Sequence, residues 1–119
     1  MIKYVAFSFL ALITGFGARQ AYAEDLVLTF HNQTGEEHRG CVLLGYTSSG
    51  ERKSSSIRPV PGNGSFTFRL PDCGQYKEWR FVAALDYSDK PENADVVLMD
   101  TGKRAVTKCD WTVTGKKGG

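Results

Sequence analysis

The residues best suited to chemistry gather early in the chain: His31 and His38, with six residues between them, and the adjacent Glu36 and Glu37. Imidazole and carboxylate groups can hold a divalent metal, but a site needs three or four converging donors. The spacing here matches neither a zinc finger nor a metalloprotease helix. The sequence therefore predicts two solvated loop histidines and no metal, and pairing either histidine with Met99 for copper adds only one more donor. Nucleophilic catalysis fares no better. Ser65 follows Gly64 in a turn rather than in a Gly-x-Ser-x-Gly elbow, and no cysteine-protease signature is present. Glu36 and Glu37 point apart in an extended chain, which excludes them as a paired general acid and base. No enzymatic activity and no cofactor are expected.

Cysteines and aromatic side chains remain. The chain has three cysteines, Cys41, Cys73 and Cys109, which permit three different single bridges. Cys109 falls in phase with Trp111 and Val113, and Cys73 sits in a turn before the strand that carries Trp79. A Cys73–Cys109 disulfide is the favoured pairing, with Cys41 left as a buried free thiol. Of the aromatics, Tyr76 and Tyr87 lie nearest to turns, so they are the candidate binding residues, presented at the ends of the fold where tyrosines recognise other molecules. Asn32-Gln33-Thr34 and Asn63-Gly64-Ser65 both match the N-glycosylation acceptor and both are expected in exposed turns.

The elements that must position these groups are strands. Leu26, Leu28 and Phe30 alternate with polar residues up to the turn-rich Asn32-Gln33-Thr34-Gly35. Cys41 to Thr47 is a second, more apolar run. It ends at Ser48-Ser49-Gly50, which suits a hairpin toward Lys53 to Arg58. Beyond the turn at Pro59, Pro61 and Gly62-Asn63-Gly64, Phe66, Phe68 and Leu70 share one strand face. Trp79, Phe81, Ala83, Leu85 and Tyr87 hold one phase of a long central strand, and Val96 to Met99 forms a short one after a solvated loop. Ala105, Thr107, Cys109, Trp111 and Val113 share a phase in the last strand. Six to seven short strands separated by turns predict an all-β fold, a small antiparallel β-sandwich, with a small β-barrel as the alternative.

Phe30-His31-Asn32-Gln33-Thr34-Gly35, the Pro61-Gly62-Asn63-Gly64-Ser65 turn, Trp79-Arg80-Phe81 leading to Asp86, and Lys108-Cys109-Asp110-Trp111 follow one another in an order that resembles small exported bacterial β-sandwich proteins of unassigned function. The resemblance implies a compact sandwich and no activity. Cys41 is an addition to that pattern.

Residues 1–23 have the layout of a cleavable signal peptide: Lys3, an apolar stretch from Val5 to Phe16, and Ala21-Tyr22-Ala23 as the cleavage site. The apolar stretch falls short of the ~20 residues a membrane span needs. One domain is then expected over 24–115, followed by a frayed tail over 116–119, and the mature chain should be periplasmic or secreted with no membrane span. Lys3 and Arg19 lie in the leader whereas all 13 acidic residues follow it, which leaves 13 basic against 13 acidic. A net charge near zero removes the electrostatic footprint of a nucleic-acid binder. The expected function is binding to another protein, as in a periplasmic inhibitor or immunity protein. A structural component that assembles through edge strands, and a carrier of a small ligand or metal, are the alternatives.

Overall fold

The computed structural model describes residues 24–117. The expected signal peptide lies outside the described residues, as do the last two residues of the expected tail. Nine strands follow one another: β1 (Leu26–Gln33), β2 (His38–Thr47), β3 (Arg52–Ser54), β4 (Arg58–Val60), β5 (Ser65–Leu70), β6 (Tyr76–Ala84), β7 (Val97–Asp100), β8 (Arg104–Ala105) and β9 (Asp110–Lys116). Two single 3-10 turns, Cys73–Gln75 and Pro91–Asn93, complete the regular elements among the described residues. The count exceeds six or seven because β3, β4 and β8 are fragments of two or three residues.

The strands form two sheets packed face to face, mostly antiparallel and not closed into a barrel, so the fold is the all-β sandwich and the barrel alternative falls. The smaller sheet has the order β9-β1-β5. In β1 the alternation does what its pattern requires: Leu26, Leu28 and Phe30 are fully buried while Val27, Thr29 and His31 face outward, half-buried. Phe30 pairs with Phe66 across the antiparallel β1–β5 ladder, and Val113 pairs with Phe30 across the parallel β9–β1 ladder. The larger sheet has the order β3-β2-β6-β7, with β4 also pairing with β2 and β8 with β6. Its spine aligns Cys41 with Ala83, Leu43 with Phe81 and Gly45 with Trp79. The core lies between the sheets. There the Phe30 and Phe81 rings stand 4.7 Å apart, and those of Trp79 and Trp111 4.9 Å apart.

β2 and β6 bury both faces. Val42, Leu44, Tyr46 and Val82 point away from the main core yet are buried in a second apolar cluster with Ile57 packed against it. The chain after β6 folds back over this face and packs its Pro91–Asn93 turn there. Pro91 is buried, and Glu92 accepts hydrogen bonds from both Nε and Nη2 of Arg52. Two-sided burial explains why the sequence from Cys41 to Tyr46 is nearly continuous in apolar residues instead of alternating.

Three expectations about strand limits are corrected. The long strand stops at Ala84, because the Leu85 N–H bonds to Val96 O at 3.0 Å and the chain then leaves for the excursion over the outer face. Tyr87 is therefore outside the strand. The last strand does not start at Ala105. Arg104 and Ala105 pair with β6 as β8, the Val106 N–H bonds to Lys77 O at 2.9 Å, and residues 106–109 cross to the other sheet before β9 begins. At its far end β9 runs through Lys116, paired with Gln33, so Lys116 belongs to the strand.

The disulfide joins Cys73 to Cys109, and Cys41 is a buried free cysteine. Both bridged residues also hold the start of β1: the Cys73 N–H bonds to Glu24 O and Cys109 O accepts from the Val27 N–H, each at 2.7 Å. This end of the sandwich is closed by the 106–109 crossover. The opposite end is held by Asn32, whose Nδ2 donates to Glu36 O at 2.8 Å and to Val60 O at 3.2 Å, while its Oδ1 accepts from the Thr34 hydroxyl at 2.7 Å. Asn32 is 1% exposed, so it is a structural pin inside the fold and not an exposed glycan acceptor. Asn63 is exposed.

Candidate binding site

The two histidines do not converge. His31 faces outward from β1, and its Nδ1 bonds to Ser65 Oγ at 2.7 Å, its register partner on β5. No carboxylate is bonded to this pair among the described residues, so it is a cross-strand hydrogen bond rather than an assembled nucleophile and base. His38 begins β2 as a buried residue, 3% exposed, which corrects the expectation of a solvated loop histidine. Among the described residues no group of three or more His, Cys, Asp or Glu is placed to hold a metal ion. Glu37 points to Arg39 Nε at 3.2 Å, away from any shared site.

Cys41 is enclosed by the core, and its Sγ lies 3.3 Å from His38 O. Burial pushes its thiol up to about 12, with a backbone hydrogen bond at Val60 opposing in part, so the reactive thiolate is absent at neutral pH.

The candidate tyrosines separate. Tyr76 is 5% exposed, because Gly45 on the neighbouring strand has no side chain: a Cβ there would stand 2.5 Å from the Tyr76 ring, which lies across the glycine. Tyr76 belongs to the core, with only a small part of it bordering the depression beside Cys73 and the 106–109 crossover. Tyr87 is 64% exposed on the excursion after β6, where its hydroxyl donates to Asp89 at 3.1 Å. It borders a polar hollow of about 260 Å³ lined by Asp86, Ser88, Asn93 and Asp95.

No family model, curated protein or solved structure matches the chain. The site is therefore argued from its own geometry.

The side of the sandwich where β7 and β9 lie holds what sequence reasoning missed. Among the described residues β9 pairs only with β1, and β7 only with β6, so each presents one backbone edge unpaired there. The β6–β7 register shifts between Ala83–Met99 and Ala84–Val97, which leaves Leu98 as a bulged residue without a partner. Leu98 and Met99 accordingly both border a cleft of about 240 Å³ between the two sheet edges, with Thr114, Gly115 and Lys116 of β9, His38 and Thr34 completing its wall. Gly115 lets β9 lie directly on the Phe30 ring, since a Cβ there would come within 3.1 Å of it. Val96, Val97 and Leu98 are 47%, 38% and 38% exposed, and with Tyr87 they are the large exposed apolar side chains among the described residues. The signal in the sequence was the unbroken apolar run Val96 to Met99. It announced a strand without saying that the strand is an edge.

β7 is fixed from behind. Arg80 on β6 donates to both carboxylate oxygens of Asp100, with Nε–Oδ1 at 2.9 Å. That hydrogen bonding holds the Asp100 carboxyl below its ordinary value against the opposing effect of burial, so the edge is anchored by a charged pair at neutral pH.

Proposed function

We propose that this domain is an exported, non-enzymatic binding module for another protein, and that the partner contributes an extended segment to the open side of the sandwich. The observation that carries this reading is the conjunction of a seven-residue strand, β9, having an edge unpaired among the described residues, with two consecutive exposed apolar side chains, Val97 and Leu98, on β7. Added strands gain main-chain hydrogen bonds from an unpaired edge and specificity from neighbouring side-chain pockets. Exposed apolar residues that cluster instead of scattering mark such surfaces. The bulge at Leu98 and the charge of Asp100 work against edge-to-edge pairing of two copies through β7, which favours a different chain as partner over self-assembly. The disulfide fits an oxidising compartment, in keeping with export to the periplasm or the medium.

The test compares affinity capture by the native protein and by a Val97→Lys, Leu98→Lys variant, with Tyr87→Ala as a control surface. The expected result is one stoichiometric partner recovered by the native and Tyr87→Ala proteins and reduced at least tenfold with the double lysine variant, whose circular dichroism is unchanged. Equal recovery by all three proteins, or recovery of the domain alone, would overturn the proposal.

A further inference from the structure

We infer that the segment received at the open side is the C-terminus of the partner chain, its carboxylate held at the Lys116 end of the cleft and its last apolar side chain placed against Leu98 and Met99. The inference rests on the binding reading above and adds to it the chemistry of the occupant.

The 106–109 crossover closes the sandwich toward the disulfide, and at the other end the cleft widens into a depression bordered by Thr34, Gly35 and Glu36 of the connection from β1 to β2. Between these limits only Thr114 to Lys116 of β9 face Leu98 and Met99 of β7. The charge at the wide end is positive. Lys116 and Lys117 border the outer part of the same depression with Glu36, and neither lysine enters an ion pair among the described residues. His38 adds an unusual group to this wall: 3% exposed, it has a buried Nδ1 without a hydrogen-bond partner. Such an atom carries an unmet desolvation cost in the free protein, which a ligand oxygen reaching it would relieve. An apolar floor with two free ammonium groups and a buried imidazole at one end suits an apolar residue that ends in a carboxylate, the terminal-group recognition seen where chain ends are captured.

The probe is a library of random octapeptides tethered by their N-termini, leaving the C-terminal carboxylates free, and panned against the purified native protein. Selected sequences should end in an apolar residue, and resynthesis as C-terminal amides should weaken binding at least tenfold. Lys116→Glu with Lys117→Glu, changes at exposed positions that leave the core alone, should weaken the free-acid peptides to a similar degree, and Tyr87→Ala should not. Selected peptides that bind equally well as acid and amide would overturn this inference while leaving the protein-binding reading intact, because the occupant would then be an internal segment. Failure to select any sequence would overturn it as well, and the capture experiment would still judge the broader reading independently.

Discussion

Replacing both bridged cysteines, Cys73→Ala with Cys109→Ala, removes a crosslink between residues 36 positions apart. Loop-closure entropy for a loop of this size gives about 4 kcal/mol of stabilisation lost through the unfolded state. The native side also loses an anchor, because the two cysteines hold the start of β1 through Glu24 O and the Val27 N–H. A domain of this size shifts its Tm by roughly 4–8 °C for each kcal/mol, so the variant should melt about 15–30 °C below the native protein. Urea unfolding followed by the fluorescence of Trp79 and Trp111, whose rings pack 4.9 Å apart across the core, measures the difference directly. A variant within about 1 kcal/mol of the native protein at unchanged m-value would refute the loop-closure reasoning, since the bridge would then be constraining little that the β1 and β9 ladders do not already fix.

Two further outcomes follow from the charged and sulfur groups. Burial raises the Glu92 carboxyl, but hydrogen bonds from Arg52 overcome it and leave the group below its ordinary value of 4.5, and Asp100 is likewise held low by Arg80. Both carboxylates therefore stabilise the fold fully above the unfolded values and lose that contribution as pH falls through the folded ones. Melting temperature should decline between pH 5 and pH 3, and Glu92→Gln with Asp100→Asn should flatten the decline; parallel profiles would refute the assignment. Cys41, with its thiol pushed up to about 12 by burial, should resist a thiol reagent at pH 8 in the folded protein and react completely in denaturant. Rapid labelling under native conditions would show that the β2 face opens far more readily than its packing implies.

Local alternation made much of the fold legible. Leu26, Leu28 and Phe30, the Phe66–Leu70 strand and the inward phase of Trp79, Phe81 and Ala83 all stand where period-two patterning puts them. Of the three bridges the cysteine count permits, the favoured one, Cys73 with Cys109, is the one formed. Long-range relationships were out of reach: nothing near Asp110 to Lys116 announces a parallel pairing with Val27 to Gln33. Tyr76 was misjudged because its environment is set by Gly45, a residue 31 positions earlier that becomes its neighbour only through the β2–β6 ladder. His38 and Asn32 looked like polar loop residues, and each is buried by tertiary contacts that composition does not encode. The binding cleft was hidden for a related reason. Leu98 turns toward it through a bulge, and a bulge shows itself only in the register of two strands.

The parallel pairing of β1 with β9 also sets a clock. The first strand waits on the growing chain without its final neighbour until Asp110 to Lys116, more than 80 residues further along, have been made. Until they arrive, the smaller sheet is a two-stranded pair of β1 and β5, marginal by itself, and Leu26, Leu28 and Phe30 lack the cover of Trp111 and Val113. Closure over more than 80 residues is slow compared with a local hairpin and comes only after Lys116 has been made. A truncation of β9 should thus act as a folding mutant, leaving a chain that collapses promptly and then waits for a strand that never comes.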